Sequence, residues 1–275
     1  MMTRTNHSDR GGARGLAAGL MAFVLSAMPI AALAQGTPIQ MPKNSYDIRE
    51  DVKAGQQASV EVERQMPIVR DNDVEGYIND VGRRLVQAIP SQFQHSEFRY
   101  TFRVVNARDL NAFALPGGPM YVNRGMIESA RNEGELAGVM AHEISHVALR
   151  HATAQATKGQ KYQIGSVLGQ IAGAVIGGVP GAVLGQGAAG YAQFKQAKYS
   201  REYETQADIL GAQIMARAGY DPRESVEFWK RMSEANAGRS GKPPEFMSTH
   251  PSDTTRIENL KRLLPEALEE YERKR

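Results

Sequence analysis

The sequence predicts a mainly helical α+β domain with a small sheet at one edge. Apolar and polar residues alternate over residues 98–104, which is typical of a half-buried strand. Two more short extended pieces, residues 112–114 and 120–122, flank a Pro-Gly-Gly-Pro turn. The rest of the regular structure is expected to be helical. Six segments carry the apolar spacing of helices: residues 46–65, 71–88, 133–151, 199–218, 223–237 and 253 to the end.

Each helix has its own sequence signal. The segment over residues 46–65 is charged along its length, whereas apolar residues form one stripe over residues 71–88. The helix over residues 133–151 is apolar on several sides, which predicts a buried helix beside the small sheet. A later helix is expected to end near Gly219. We expect Pro265 to interrupt the last helix, because proline has no backbone N–H to donate.

Residues 1–34 are predicted to be a secretory signal peptide. Arginines precede an apolar run over residues 16–30, and Ala-Leu-Ala at residues 32–34 matches a cleavage site. An uncleaved signal anchor is the alternative, and both predict a protein that leaves the cytoplasm for the periplasm. Residues 35–275 are then expected to form a single domain.

Composition and charge exclude several function classes. The chain has no cysteine, which excludes disulfide frameworks, cysteine zinc fingers, thiol nucleophiles and iron–sulfur clusters. The formal net charge is only +3, and cleavage of the signal peptide brings it closer to zero. We expect no nucleic-acid partner, because phosphate binding needs clustered positive charge.

The strongest motif in the chain is His-Glu-Ile-Ser-His at residues 142–146. Residues four apart lie on the same face of a helix, so His142 and His146 can bind one metal ion. Glu143 lies beside them, where a carboxylate can take a proton from an attacking water. The alternative is a buried helix with two hydrogen-bonded histidines. The apolar surroundings favour the metal site.

A catalytic zinc site usually takes three protein ligands, so a third ligand is expected elsewhere in the chain. On a continuous helix His151 faces away from His142, which predicts a helix-end or surface histidine. Glu204 and Asp208 are four apart on a later helix, where one carboxylate can bind metal while the other orients a ligand histidine. Glu202 faces another direction and is expected to pair with a lysine or arginine.

These motifs together resemble the gluzincin metallopeptidase family that contains HtpX and the CAAX prenyl proteases. The sequence from residues 51 to 85 resembles the periplasmic branch of that family, with the BepA- and LoiP-type outer-membrane maintenance peptidases. Four segments carry the family resemblance: residues 111–118, 142–146, 200–208 and 248–251, with Arg256 beyond the last.

The resemblance implies a gluzincin-type fold and a set of residue roles. It implies one Zn²⁺ per chain, with His142, His146 and Glu204 as the ligands. It also implies that Glu143 is the general base and that Asp208 orients a ligand. By this resemblance the chain is expected to be a zinc-dependent endopeptidase.

Two later residues have more than one interpretation. His250, before a proline, can donate to the developing oxyanion, close over zinc as a fourth ligand in a latent state, or only form a turn. The family resemblance favours one of the first two roles. Arg256 either supports the site electrostatically or contributes to packing.

Residues 162–194 contain no charged residue, and glycine recurs there at every fourth position from Gly165 to Gly185. Membrane helices pack through small residues in this way, but the glutamines and Pro180 argue against a spanning segment. We expect a helical hairpin that is inserted in the domain and shields the active site. Peripheral contact with a membrane stays open.

The function expected from the sequence is cleavage of exposed or misfolded polypeptides, most of all unfolded envelope proteins. The strand at Asn111, Ala112, Phe113 and Ala114 is expected to hold an extended substrate by strand addition. One alternative is a chaperone-like envelope assembly factor with little proteolysis. The other is an integral membrane protease of the HtpX type.

Overall fold

The computed structural model describes residues 39–160, 199–237, 243–250 and 254–274. The predicted signal peptide and the predicted hairpin over residues 162–194 lie outside these ranges. Within them, every helix is too short or too polar to cross a membrane. The elements, in chain order, are α1 (Ile48–Gln65), α2 (Asn72–Gln87), a short 3-10 helix (Ser91–Phe93), β1 (Thr101–Val105), β2 (Ala112–Ala114), β3 (Pro119–Asn123), α3 (Arg124–Ser129), α4 (Glu133–Ala148), α5 (His151–Gln160), α6 (Arg201–Arg217), α7 (Arg223–Ala237), α8 (Glu245–Thr249) and α9 (Thr254–Lys274).

The three strands form one small mixed sheet in the order β1–β3–β2. The β3 strand pairs in parallel with β1 and antiparallel with β2, so β2 lies at an edge. Opposite each other in the antiparallel pair, the rings of Phe113 and Tyr121 stack with their centroids 5.2 Å apart. The mainly helical α+β class with a small edge sheet is therefore confirmed.

Helix α4 is the centre of the domain. Every residue from Glu135 to Ala148 is buried, because α2, α6, α7 and β2 all pack against this helix. The Asn132 side chain caps its start by accepting a hydrogen bond from the backbone N–H of Glu135 (2.8 Å). Because no side of α4 faces solvent, its sequence has no continuous polar face.

The predicted helix over residues 133–151 is two helices in the structure. Helix α4 ends at Ala148, Arg150 has a left-handed backbone (φ 56°), and α5 begins at His151. The Arg150 side chain supports this turn by pairing with buried Asp51 and donating to the carbonyl of Tyr46 (2.7 Å). The conformation is uncommon for a residue with a Cβ, so the sequence gives little signal for it.

The predicted interruption at Pro265 is wrong. Helix α9 continues through Pro265, which lies on its exposed side. The carbonyl that loses its helical donor belongs to Lys261, which is also exposed. Because water can satisfy this carbonyl, the helix tolerates the proline.

Candidate metal centre

Four buried side chains from three parts of the chain meet at one point. His142 and His146 come from α4, Glu204 from α6, and His250 from the C-terminal end of α8. One nitrogen or oxygen atom of each lies within 4.8 Å of the corresponding atoms of the others. The spacing of four residues in α4 thus brings the two histidines together as predicted.

The distances within this cluster suit a tetrahedral metal ion. The Nε2 atoms of His142 and His146 are 3.1 Å apart. Glu204 carboxylate oxygens lie 3.4 Å from the first of these nitrogens and 3.5 Å from the second. Metal–ligand distances of about 2.0–2.1 Å in a tetrahedron place ligand atoms roughly 3.3 Å apart.

The hydrogen bonds of the two imidazoles leave lone pairs facing each other. His142 Nδ1 lies 3.0 Å from an oxygen of Asp208, and His146 Nδ1 lies 2.9 Å from His151 Nδ1. With hydrogen on both Nδ1 atoms, both Nε2 atoms present unshared electron pairs to the same small space. Two lone pairs this close repel each other unless a proton or a metal ion lies between the nitrogens, so the donor set fits a metal ion.

Glu143 lies beside the cluster, at the side of strand β2. Its Oε1 atom is 3.2 Å from His250 Nε2 and makes no regular hydrogen bond with the part of the chain that the structure describes. Burial raises the pKa of Glu143, and the charges of nearby histidines and the backbone of Ala114 only partly offset it. A raised pKa makes a carboxylate a stronger base, which suits a group that must take up a proton.

Arg256 holds the two carboxylates of α6 in place. Its Nε and Nη2 atoms each donate to Asp208 at 2.7 Å, and Nη1 lies 3.1 Å from Glu204 Oε2. The guanidinium also lies over the Trp229 ring, 3.8 Å from its centroid. Burial would raise the pKa of Asp208, but Arg256 and His142 outweigh it and hold this pKa below its usual range. The predicted electrostatic and packing contacts of Arg256 therefore both exist.

His151 corrects the sequence interpretation. It is fully buried, rather than at the surface, and lies between His146 and Gln206. The break at Arg150 turns its ring back toward the cluster, which a continuous helix could not do. Burial lowers the pKa of His151 to about 3, so the ring is neutral.

The other predicted residues lie close to their expected places. Glu202 is exposed and pairs with Lys158 at 3.1 Å, which confirms its expected direction. Strand β2 runs beside α4, with Asn111 immediately before it. Sequence analysis missed Tyr199, whose ring stacks on His146 with 4.1 Å between centroids.

Comparison with known proteins agrees with this geometry. The model of Peptidase family M48 matches residues 72–264. The chain is 30% identical over 263 residues to the beta-barrel assembly-enhancing protease of Escherichia coli K12, covering 89% of this chain and 52% of that protein. It is 38% identical over 165 residues to the mitochondrial metalloendopeptidase OMA1 of Saccharomyces cerevisiae, covering 59% of this chain and 46% of the relative.

The chain spans about half the length of the curated relatives it matches. The matched family residues include α4, α6 and the buried cluster between them. The family match confirms the resemblance to gluzincin metallopeptidases that the sequence motifs predicted. The chain belongs to Peptidase family M48.

Proposed function

We propose that the chain binds one zinc ion through His142, His146 and Glu204. The observation that carries this proposal is the pair of imidazole Nε2 atoms 3.1 Å apart, with a carboxylate beside them. Two imidazoles and one carboxylate are a common donor set for catalytic zinc. Zinc bound there supplies Lewis acidity, which polarises the scissile carbonyl and lowers the pKa of the attacking water.

Glu143 is proposed as the general base. Its carboxylate accepts a proton from the attacking water and returns it to the leaving amine when the peptide bond breaks. Its burial raises the pKa of Glu143, which makes the carboxylate a stronger base and supports this role. Asp208 accepts from His142 Nδ1 and so keeps Nε2 of that ring directed at the ligand cluster.

Two roles are proposed for His250, and the structure favours one of them at rest. Its Nδ1 atom is 3.2 Å from His142 Nε2 and 3.0 Å from Glu204 Oε1, the spacing of a fourth ligand. In that position it excludes water and substrate, which supports a latent state. When His250 leaves this position, the same imidazole can donate a hydrogen bond to the oxyanion that develops on the substrate.

The substrates are polypeptides, and we propose that they bind as extended chains along β2. Among the described residues, β2 pairs with β3 and forms one edge of the sheet, and strand addition joins a further strand to such an edge. Folded proteins rarely offer a free extended segment, so the edge strand favours unfolded or misfolded chains.

The proposed setting is quality control in the cell envelope, most directly the periplasm. Residues 1–34 have the pattern of a secretory signal, and one relative is named a beta-barrel assembly-enhancing protease. Residues 35–275 are proposed as a single domain, with the uncharged segment 162–194 as an inserted hairpin that shields the active site; peripheral membrane contact through this segment stays open. Cell fractionation with carbonate extraction tests this location. Protein found in the cytoplasmic fraction contradicts it. Protein that stays in the membrane fraction after carbonate extraction favours an integral membrane protease.

The central experiment combines metal content with cleavage of casein by the wild type and by Glu143→Gln. We expect one zinc per chain in both proteins, and proteolysis only in the wild type. Glutamine keeps the shape of the side chain but cannot take the proton, which costs about 10²–10⁴-fold in rate. Near-normal cleavage by Glu143→Gln would contradict the proposed base, and a wild type that binds zinc without cleaving would favour the chaperone-like alternative.

A further inference from the structure

His151 lies outside the ligand cluster but is joined to it by a continuous line of hydrogen bonds. Its Nδ1 atom is 2.9 Å from His146 Nδ1, and its Nε2 atom is 3.0 Å from Gln206 Oε1. Gln206 in turn donates from its amide nitrogen to the carbonyl of Gln40 at 3.1 Å. The ring of His151 lies flat on Tyr203, with centroids 4.5 Å apart and planes 6° apart.

The last hydrogen bond of this series, from Gln206 to Gln40, determines which atom is the donor in each of the others. Gln206 uses its NH₂ group for the Gln40 carbonyl, so its oxygen faces His151 and can only accept. His151 therefore carries its hydrogen on Nε2 and has a lone pair on Nδ1. His146 must then donate from Nδ1, which leaves its Nε2 free to bind a metal.

The two histidines of the motif are thus oriented by different chemical groups. His142 donates to Asp208, a carboxylate already paired with Arg256, whereas His146 donates to a neutral imidazole. A neutral acceptor fixes the ring without adding negative charge next to Glu204. The left-handed turn at Arg150 is what brings His151 to this position.

We infer that His151 is a positioning residue of the metal site, which fixes the tautomer and the ring orientation of His146. This inference rests on the proposed zinc site and adds a residue to it from outside the ligands and the base. Removal of such an outer hydrogen-bond partner typically lowers metal affinity about 10–100-fold.

The test compares two substitutions of His151 in the full-length protein. His151→Asn places a carbonyl oxygen near the position of Nδ1, so His146 keeps an acceptor. His151→Phe keeps a flat ring against Tyr203 but offers no acceptor. Zinc affinity is measured by competition with a chromogenic chelator, and unfolding of the zinc-free proteins is followed in parallel. We expect about 10–100-fold weaker zinc binding for His151→Phe and recovery of most of it in His151→Asn.

A second position keeps the inference falsifiable if His151→Phe does not fold. Gln206→Leu removes the acceptor of His151 at a partly exposed site and is expected to weaken zinc binding in the same direction. Glu202→Gln, exposed on the same helix, is the matched control and should bind zinc like the wild type.

Three results would overturn the inference. The first is wild-type zinc affinity in His151→Phe, and the second is an equal loss in both His151 variants, since the hydrogen bond is then not the cause. The third is unchanged affinity in Gln206→Leu when His151→Phe is unfolded. A wild type that binds no zinc overturns the proposed metal function as well, and this is seen before any variant is compared.

Discussion

Arg256 and Asp208 form a two-point ion pair inside the protein, with both nitrogen–oxygen distances at 2.7 Å. The pair joins α9 to α6 and places the Asp208 carboxylate against His142. Because Glu204 also contacts this guanidinium, one arginine is shared by two buried carboxylates. The charge balance of the candidate metal centre therefore depends on the last helix of the chain.

This balance predicts a metal-dependent stability defect in Arg256→Met. Removing one partner of a buried ion pair leaves an uncompensated charge, which costs about 3–5 kcal/mol in the free energy of unfolding. Zinc should recover part of this loss by supplying positive charge beside the same carboxylates. Urea unfolding with zinc and with chelator measures both effects. Exposed Arg262→Met is the control, and equal stability of the two variants would contradict the prediction.

The assignment of the third ligand predicts opposite outcomes for two neighbouring glutamates. Glu204→Ala should lose stoichiometric zinc, because its carboxylate lies 3.4–3.5 Å from both imidazole nitrogens of the motif. Glu202→Ala should keep it and lose only a surface ion pair worth about 0–1 kcal/mol. Metal analysis of the two purified variants checks this. Loss of zinc in Glu202→Ala alone would move the ligand and refute the assignment.

His250→Ala separates the two proposed roles of this histidine. We expect slower cleavage of small peptides, by about 10–10³-fold, because the oxyanion loses a hydrogen-bond donor. The loss of the fourth ligand should at the same time increase self-cleavage during storage. Peptide kinetics and gel analysis of stored protein measure these effects separately. Unchanged behaviour in both assays would leave His250 as a turn residue only.

Two glycines of helix α2 are expected to respond to alanine in opposite ways. A Cβ atom at Gly82 would lie 2.4 Å from the ring of buried Phe102, so Gly82→Ala should destabilise the fold by about 1–3 kcal/mol. At exposed Gly76 nothing lies within 4 Å of the added atom, and alanine should stabilise the helix by about 0.5–1 kcal/mol. Thermal unfolding compares the two; a lower melting temperature for Gly76→Ala would be contrary to this reasoning.

Removal of metal is expected to lower the melting temperature of the wild type. The donor atoms of the cluster come together only in the folded chain, and a metal ion that binds only the folded state stabilises that state. Differential scanning calorimetry with chelator, and again after added zinc, measures the shift and its reversal. Identical melting in both conditions would contradict a zinc site in this cluster.

The sequence predicted those parts of the site that depend on spacing within one helix. His142 and His146 are four residues apart, as are Glu204 and Asp208, and each pair shares a helix face in the structure. Helical geometry alone determines such a relationship. The three short strands were also found close to their predicted ranges, because their alternation and turn residues are local signals.

What the sequence could not predict depends on contacts between distant segments. The left-handed turn at Arg150 is stabilised by Asp51 and Tyr46, about a hundred positions away, and without it His151 faces the wrong direction. Pro265 was misjudged for a related reason. Its effect depends on whether the carbonyl of Lys261 meets water or protein, and only the folded chain determines that.

The clustered residues lie far apart along the chain, and this separation determines when hydrolytic activity can arise during synthesis. His142 and His250 are 108 residues apart, and His142 and Arg256 are 114 apart. Closing loops of that size is slow relative to forming a helix. On the proposed assignment, a chain still under synthesis that has completed α4 holds two histidines and a base but lacks the carboxylate of α6. On this assignment hydrolytic activity arises only after α6 has docked on α4, so the nascent chain and its neighbours are not digested before that point.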